Sequence, residues 1–224
     1  MLLAPHPASA RGSSEFNSIG TAAAENEPPK LSGDQIAEHA GAAWFAVAAS
    51  GELFGSDDAQ LFDVGQEADG YVTPYLIDNL VAWTACFVEH DEDYPLASYT
   101  YWGSSSSKTI QLQCGYHNST SGSGHGWHHI SVQHESQWRD RIIQLSTGDP
   151  TGAGWDDLMS FVNDTTIAWP MVDKSHGSKK RCVGAPVLMY DKYGNYEYTF
   201  YPSVIFTTNT KRVITSIPSS SYTC

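Results

Sequence analysis

The sequence predicts an α+β fold in which helices come first and an antiparallel β-sheet closes the chain. Apolar residues recur at helical spacing from Ile36 to Val47 and from Trp127 to Ile142, whereas residues 185–217 form short runs of β-formers between turns. Helices followed by a series of strands are typical of α+β domains. The 224 residues, of which 41% are hydrophobic, suffice for one large domain or two small ones.

The first part of the chain is predicted to be helical around an acidic loop. A helix begins near Asp34, after Ser32, which is suited to cap it, and ends before Gly51. Residues 51–70 are acidic and contain several glycines, which predicts a loop. The apolar run Leu76–Val88 fits either a helix or a buried strand, and we favour a helix for its first part.

Two strands and two helices are expected in the middle of the chain. Ala97–Trp102 and Lys108–Cys114 are rich in β-formers and are separated by a serine turn, which predicts paired strands. A helix follows that carries Trp127 and Trp138 on one apolar stripe. The spacing of apolar residues in Trp155–Ile167 predicts the second helix.

The last part of the chain is predicted to consist mostly of strands. A basic loop at residues 174–181 precedes them. The four strand-like runs are residues 185–190, 196–201, 203–207 and 213–217, with turns or breaks at Gly194, Pro202 and Asn209.

The four cysteines indicate an exported protein with two disulfides. Several pairings are possible, and we favour Cys86–Cys114 and Cys182–Cys224, because a bridge to Cys224 would hold that end of the chain in place. No Cys-x-x-Cys spacing occurs, which argues against a zinc or redox motif built on cysteine.

Residues 1–30 are interpreted as the remnant of a truncated secretory signal followed by a disordered leader. Ala8-Ser9-Ala10 fits the small-x-small pattern of a signal-peptidase site. The alternative is a tail that is simply disordered, since residues 11–30 are rich in Ser, Ala, Glu and Pro. The signal-like segment and the even number of cysteines lead us to expect a secreted protein. No apolar run is long enough to span a membrane, so no membrane partner is expected.

The net charge of −13 is unevenly distributed along the chain. Residues 1–107 hold two basic and sixteen acidic residues, a net charge of −14, and residues 108–224 hold ten and nine, a net charge of +1. The split predicts an acidic, α-rich segment at 31–100 and a separate α+β domain at 101–224. An acidic surface that only aids solubility is the simpler alternative.

The stretch from Gly124 to His134 holds four of the nine histidines and follows a Ser/Gly-rich loop. Histidine transfers protons near neutral pH, and glycine lets a ligand approach the backbone, so this stretch is the leading site candidate. His125 and His129 are four residues apart and could share a zinc-binding face, but no HExxH motif is present. On a regular helix, His129 and His134 are predicted to lie on different faces.

Metal-free cleavage of RNA suits these residue types better than zinc chemistry or serine hydrolysis, for which no Gly-x-Ser-x-Gly motif occurs. The 2′-hydroxyl attacks the adjacent phosphate, one group accepts its proton, another protonates the 5′-oxygen, and cations stabilise the added charge. The reaction needs no metal and no cofactor. The residues that supply these groups are His129, His134, Lys211, Arg212 and Thr215.

The order of these motifs resembles a known family. Gly124-x-Gly126-Trp127-x-His129-Ile130-x-x-x-His134 is similar to the GxGWxHIxxxH element of bacterial polymorphic-toxin ribonucleases of the barnase/EndoU/colicin/RelE-like superfamily. The segment from Lys211 to Pro218 is similar to the last strand of many such domains, which commonly ends Thr-Ala-Tyr-Pro. The resemblance covers about residues 108–218.

The resemblance implies helices packed on an antiparallel sheet, with RNA cleaved on the sheet face. It implies that His129 is the acid/base residue and that Thr215 contacts the scissile phosphate, with His134 and Arg212 as further catalytic candidates. A toxin-type ribonuclease would have RNA as its substrate and an immunity or inhibitor protein as its partner. The candidate substrate-binding residues are Lys211, Lys179, Lys180, Arg181 and Trp127.

Two further hypotheses remain open at this point. The chain could be a non-catalytic secreted interaction protein with a degenerate toxin-like fold, in which His134, Trp127 and Thr215 are ordinary core and strand residues. The acidic segment 31–100 could also cover the basic site and restrain its activity, a hypothesis that rests on the charge split alone.

Overall fold

The computed structural model describes residues 28–57, 80–103 and 106–224. The predicted signal remnant, the acidic loop from residue 58 onward and residues 76–79 of the second apolar run lie outside the described residues. In the part that is described, the fold is α+β, with a large antiparallel sheet, as the sequence predicts.

The described residues form four α-helices, one π-helical turn and eleven strands. In chain order these elements are α1 (Gly33–Glu38), β1 (Trp44–Ala48), β2 (Leu53–Gly55), α2 (Leu80–Trp83), the π-helical turn (Thr84–Val88), β3 (Pro95–Trp102), β4 (Ser107–Gln113), β5 (Tyr116–His117), β6 (Gly124–His125), α3 (Gly126–Ile143), α4 (Trp155–Ala168), β7 (Val172–Ser175), β8 (Lys180–Gly184), β9 (Val187–Asp191), β10 (Tyr196–Thr207) and β11 (Val213–Ser219). The hairpin of β3 and β4 and the long helices α3 and α4 confirm the predictions for the middle of the chain.

The main sheet has seven strands in the order β2-β1-β9-β10-β8-β7, with β11 paired to β10. β10 is 12 residues long, and along one edge it pairs first with β9, with a register shift between Tyr196 and Tyr198, and then with β8. β11 pairs with the other edge of β10. β10 is therefore the strand that holds the two halves of the sheet together.

Pro202 does not divide β10, in contrast to the separate runs predicted on either side of it. It lies where the partner of β10 changes from β9 to β8, and on the other edge it faces Pro218. A proline interrupts a strand only where the ladder needs its missing N–H. Two prolines that face each other leave no backbone donor unpaired, so the strand continues through Pro202.

The run Trp44–Ala48 is a strand and not the second half of a helix. α1 ends at Glu38, and β1 then pairs with β2 on one edge and with β9 on the other. Trp44 and Ala46 pack in the main core, while Phe45 packs in a second, smaller core on the opposite face. An entirely apolar run satisfies helical spacing and two-sided strand burial alike, which explains the wrong prediction. The sheet thus includes residues of the segment predicted to be acidic and α-rich.

The basic stretch 174–181 belongs to a hairpin and is not simply a loop. β7 pairs with β8 in antiparallel fashion, with Ser175 opposite Arg181. Lys180 and Arg181 are the first residues of β8. Lys179 lies in the turn with a positive φ of 63°. The basic side chains are therefore held by a paired backbone.

Both long helices pack on strands: α3 packs against β11, and α4 packs against β3. The buried side of α3 is the predicted apolar stripe from Trp127 to Ile142, except that His134 is only partly buried. Trp138 Nε1 donates a hydrogen bond to the carbonyl of Ser216 at 3.1 Å, which fixes the helix on the strand.

The two predicted disulfides, Cys86–Cys114 and Cys182–Cys224, are both present. The first joins the π-helical turn to the residue that follows β4, and the second joins Cys224 to β8. Within residues 28–57, 80–103 and 106–224, no helix combines the length and apolar character that crossing a bilayer requires.

Candidate functional site

A short hairpin and the start of α3 place the histidines. β5 pairs with β6, so that His117 faces Gly124 and Tyr116 faces His125, and α3 begins at the next residue with His125 as its N-cap. A Cβ on Gly124 would lie 2.2 Å from the carbonyl oxygen of Tyr116 and 3.0 Å from His129 Nδ1. The glycine is therefore what allows the ring of His129 to lie against the hairpin.

His129 lies between two other histidines. Its Nδ1 is 3.2 Å from Nδ1 of His117, and the centroids of these two rings are 5.4 Å apart. The ring of His134 meets that of His129 edge to face, with centroids 6.2 Å apart. Together His117, His129 and His134 form what we call the histidine cluster.

The contact between His129 and His134 corrects the prediction that they lie on different faces of the helix. Their backbone positions diverge, but long helical side chains lean toward the helix N-terminus, which brings the ring of His134 back to His129. His134 Nδ1 donates to Gln137 Oε1 at 3.1 Å, because an amide oxygen only accepts. His134 thus belongs to the cluster and not to the fully buried core.

Hydrogen bonds determine which nitrogens of the cluster carry protons. With its amide oriented as in the structure, Gln133 donates Nε2–H to His117 Nε2 at 3.2 Å. A neutral imidazole that accepts at one nitrogen donates from the other, so His117 donates from Nδ1 to His129 Nδ1. His129 then carries its own proton on Nε2. In this state, His129 offers a donor to a ligand.

His125 is not a member of the histidine cluster and contacts Arg212. Its proton lies on Nδ1, whereas the proton of His129 lies on Nε2. Arg212 NH1 is 3.1 Å from His125 Nε2 and 3.7 Å from Asp93 Oδ1. Arginine only donates, so neutral His125 accepts at Nε2 and carries its proton on Nδ1. His125 is 5% exposed and packs edge to face on Tyr116, so a ligand reaches its Nε2 by way of Arg212.

Burial lowers the pKa of His125, His129 and His134. The positive charge of Arg212 lowers the pKa of His125 further, and His117 and His134 do the same for His129. His129 also acts electrostatically on His125, which lies one helical turn away. These three rings therefore remain neutral to a lower pH than a free histidine would.

Thr215 does not join the histidines. It pairs with Ile205 in the sheet, is 7% exposed and has a buried Oγ1. Its hydroxyl is buried in this conformation, whereas the family resemblance implies that it contacts the scissile phosphate. In this part of the chain, Arg212, the residue before β11, forms a hydrogen bond with His125.

Trp127 is a core residue and not a substrate contact. It is 4% exposed, and its ring packs against Phe87 and Trp155. His128 packs edge to face on Phe87 with ring centroids 5.1 Å apart. Both side chains therefore fasten the π-helical turn to α3.

The predicted basic residues have different environments. Arg181 is bound to Asp173 through NH2 at 2.6 Å and Nε at 2.8 Å, so its charge is neutralised locally. Lys179 and Lys180 line a cleft between the β3–β4 and β7–β8 hairpins. Lys211 is exposed and lies next to Arg212.

Sequence reasoning does not single out His117 as a site residue, and it considers His125 only as a zinc ligand. Their roles depend on the pairing of β5 with β6. The feature of the sequence that could have indicated this hairpin is the polar loop 118–123 between two short segments. In the described parts of the chain, no three or more His, Cys, Asp or Glu side chains have the arrangement of a metal site. The chain matches no protein-family model, and no curated protein or solved structure matches it.

Proposed function

We propose that the chain is a secreted ribonuclease that cleaves RNA by attack of the 2′-hydroxyl on the adjacent phosphate. The reaction requires a proton acceptor, a proton donor and a cation beside the phosphate. The observation that carries the proposal is that His125 Nε2 is an acceptor held by Arg212, while His129, one helical turn away, presents a donor. These three side chains supply the three required roles.

Phosphate binding by Arg212 begins the reaction. A guanidinium group binds two phosphate oxygens at once, so Arg212 exchanges its contacts with His125 and Asp93 for the substrate. The freed His125 Nε2 accepts the proton of the 2′-hydroxyl while the 2′-oxygen bonds to phosphorus. His129 Nε2 gives its proton to the 5′-oxygen as the P–O5′ bond breaks. The products are a 2′,3′-cyclic phosphate and a 5′-hydroxyl.

His117 is proposed to return a proton to His129 during this step. When His129 loses its Nε2 proton, it gains the Nδ1 proton of His117 across the 3.2 Å contact. The pair must start with one added proton, carried on His117 Nε2, if both rings are to end neutral. The Gln133 amide then turns its oxygen toward that nitrogen and accepts from it.

Two other observations support the proposal. The resemblance to polymorphic-toxin ribonucleases favours His129 as an acid/base residue, and by analogy an immunity or inhibitor protein as the partner. Disulfides persist mainly in oxidising compartments, so Cys86–Cys114 and Cys182–Cys224 support export.

The decisive test is incubation of the protein with total tRNA and with single-stranded RNA in EDTA. Wild type is expected to produce 2′,3′-cyclic phosphate ends, and His125→Ala and His129→Ala are each expected to be about 10²- to 10⁴-fold slower. His176→Gln, an exposed histidine in the β7–β8 turn, is the matched control and should cleave normally. Absence of cleavage by wild type would contradict the proposal.

The second candidate is a non-catalytic interaction protein. The low exposure of His125, 5%, and of Thr215, 7%, favours it, because these groups are shielded from a ligand in this conformation. Under this alternative, wild type and His129→Ala would bind partners equally, and neither would release cyclic phosphate products.

A further inference from the structure

A second candidate site is the cleft between the β3–β4 hairpin and the β7–β8 hairpin. We call it the lysine cleft after its lining residues Lys108, Lys179 and Lys180, which it combines with the aromatic residues Tyr101 and Trp102. No member of the histidine cluster is among the described residues that line it. The lysine cleft is thus a separate surface with its own chemistry.

The lysine cleft is positively charged after its internal ion pair is counted. Asp173 is the one carboxylate in its described lining. That carboxylate is bound to Arg181 at 2.6 Å and also accepts a hydrogen bond from Tyr101 Oη at 2.8 Å. The charge of Arg181 is therefore balanced, whereas the lysines provide the net charge of the lysine cleft. Such a surface suits an anionic chain.

Trp102, which ends β3, is among the residues that line the lysine cleft and is 59% exposed. Its neighbour Tyr101 points to the other face of the strand, where its ring packs edge to face on Phe206 with ring centroids 5.0 Å apart. Proteins that bind single-stranded nucleic acids combine cations that follow the backbone with aromatic rings on which bases stack. An exposed tryptophan among lysines is this combination.

Lys179 in the lysine cleft and Lys211 in the neighbouring 208–212 turn have left-handed backbone conformations. The φ angles are 63° for Lys179 and 57° for Lys211, a region where glycine or asparagine would be less strained. The turns themselves are held by backbone oxygens: the carbonyl of Lys179 accepts from Thr208 N at 2.8 Å, and that of Lys211 accepts from Gln111 N at 2.9 Å. These hydrogen bonds of the turns use backbone atoms, so they leave both lysine ammonium groups out of the turn geometry.

The turn at residues 208–212 connects the lysine cleft to the proposed catalytic groups. Thr208 lines the lysine cleft, and Arg212, at the other end of the same turn, donates to His125. Thr207 N donates to the carbonyl of Arg212 at 3.0 Å, which closes the turn. Lys211 lies between the two sites along the chain.

We propose that the lysine cleft binds the sugar-phosphate backbone of single-stranded RNA, with one base stacked on Trp102. The strand continues over the 208–212 turn, where its scissile phosphate meets Arg212. This inference rests on the proposed RNA cleavage and names single-stranded RNA as its substrate class. Duplex RNA is bound less well, since its bases are not free to stack on a side chain.

The test separates binding from cleavage by using a 2′-O-methyl RNA single strand of about ten nucleotides. This probe lacks the attacking hydroxyl, so it cannot be cleaved by the proposed reaction. Trp102→Ala and the triple variant Lys108→Ala/Lys179→Asn/Lys180→Ala are each expected to weaken binding about tenfold or more in fluorescence anisotropy. Asparagine is used at position 179 because it tolerates positive φ, so that variant should keep the wild-type melting temperature.

Lys192→Ala is the matched control, because Lys192 is exposed but lies over the ring of Tyr193 at 5.1 Å, outside the described lining of the lysine cleft. Its affinity should equal that of wild type. Equal affinity of wild type, Trp102→Ala and the triple variant would overturn the inference, as would tighter binding of duplex RNA or of heparin than of the single strand.

The two proposals fail in different ways. If wild type binds the 2′-O-methyl strand through the lysine cleft but does not cleave unmodified RNA, the cleft is confirmed and the ribonuclease proposal is wrong. If wild type cleaves RNA while the variants in the lysine cleft retain wild-type binding and KM, the ribonuclease proposal stands and the inference about the cleft is wrong.

Discussion

Asp93 Oδ1 lies 3.7 Å from Arg212 NH1, the same nitrogen that donates to His125. The side chain of Asp93 is 80% exposed, and an exposed ion pair of this kind stabilises a fold by only about 0–1 kcal/mol. A phosphate group with its larger charge can displace the carboxylate. Within the described residues of the acidic segment 31–100, Asp93 is thus a carboxylate through which that segment could restrain the site.

Removal of this carboxylate is expected to raise RNA cleavage. Asp93→Asn leaves Arg212 without its competing anion, so kcat/KM should increase about two- to fivefold, with little change in the melting temperature. Glu89→Gln removes the same charge from another exposed position of the acidic turn and should leave kcat/KM nearly unchanged. A decrease for Asp93→Asn would show instead that the carboxylate positions Arg212.

His117 and His129 are expected to act as a unit. His129→Ala should reduce kcat by about 10²- to 10⁴-fold, and His117→Ala by less, because His117 acts only through His129. The double variant should be no slower than His129→Ala, since the second substitution removes a relay that no longer has a recipient. Single-turnover cleavage of a defined RNA would measure this. Additive losses would rule out the relay.

The pH dependence of cleavage is expected to be bell-shaped, with its acidic limb set by His125. His125 must be neutral to accept a proton, and the His117–His129 pair must carry one. Burial lowers the pKa of His125, and the charge of Arg212 lowers it further, so the acidic limb of kcat/KM should lie below about pH 6.5, the usual pKa of histidine. Rates measured from about pH 4 to 8 would test this. An acidic limb above about pH 7 would contradict the role assigned to His125.

Stability is expected to fall as the solution becomes acidic. His125, His129 and His134 have lower pKa values when folded than the usual value of about 6.5, so the unfolded chain binds more protons below that pH. The stabilisation is complete above about pH 6.5 and is lost as the pH falls through the folded pKa values. Urea midpoints across this range should show a shallower decline for His129→Gln than for wild type. The same slope in both would argue against a depressed pKa at His129.

The sequence predicts an element correctly where the spacing of its residues fits only one type of secondary structure. The stripe from Trp127 to Ile142 fits a helix only, and Lys108 to Cys114 alternates as a strand, so both predictions are confirmed. The disulfide pairing is confirmed as well. The run from Trp44 to Ala48 fits both a helix and a strand, because burial on both faces of a sheet removes the alternation of apolar and polar residues that would mark a strand.

The candidate site is harder to predict because its chemistry depends on which atoms meet. Spacing identifies His129, but its protonation follows from a chain of contacts through His117 to Gln133 that only the folded hairpin creates. Arg212 is predicted as catalytic, yet its partner His125 lies 87 residues away in sequence. The types of residue present indicate a class of reaction. Which histidine would accept a proton and which would donate one depends on the tertiary contacts.

The position of β1 has a consequence for how the chain reaches this state. β1 pairs with β9, so Trp44 finds its partner Asp191 only after most of the chain has been synthesised. Until then, β1 has only β2 as a neighbour and its other edge remains unpaired, which is a condition that favours aggregation and recruits chaperones. Pairings between distant segments also fold slowly. The sheet is therefore completed only after β9 has been made, and the interval before that pairing is when the open edge of β1 is most exposed to aggregation.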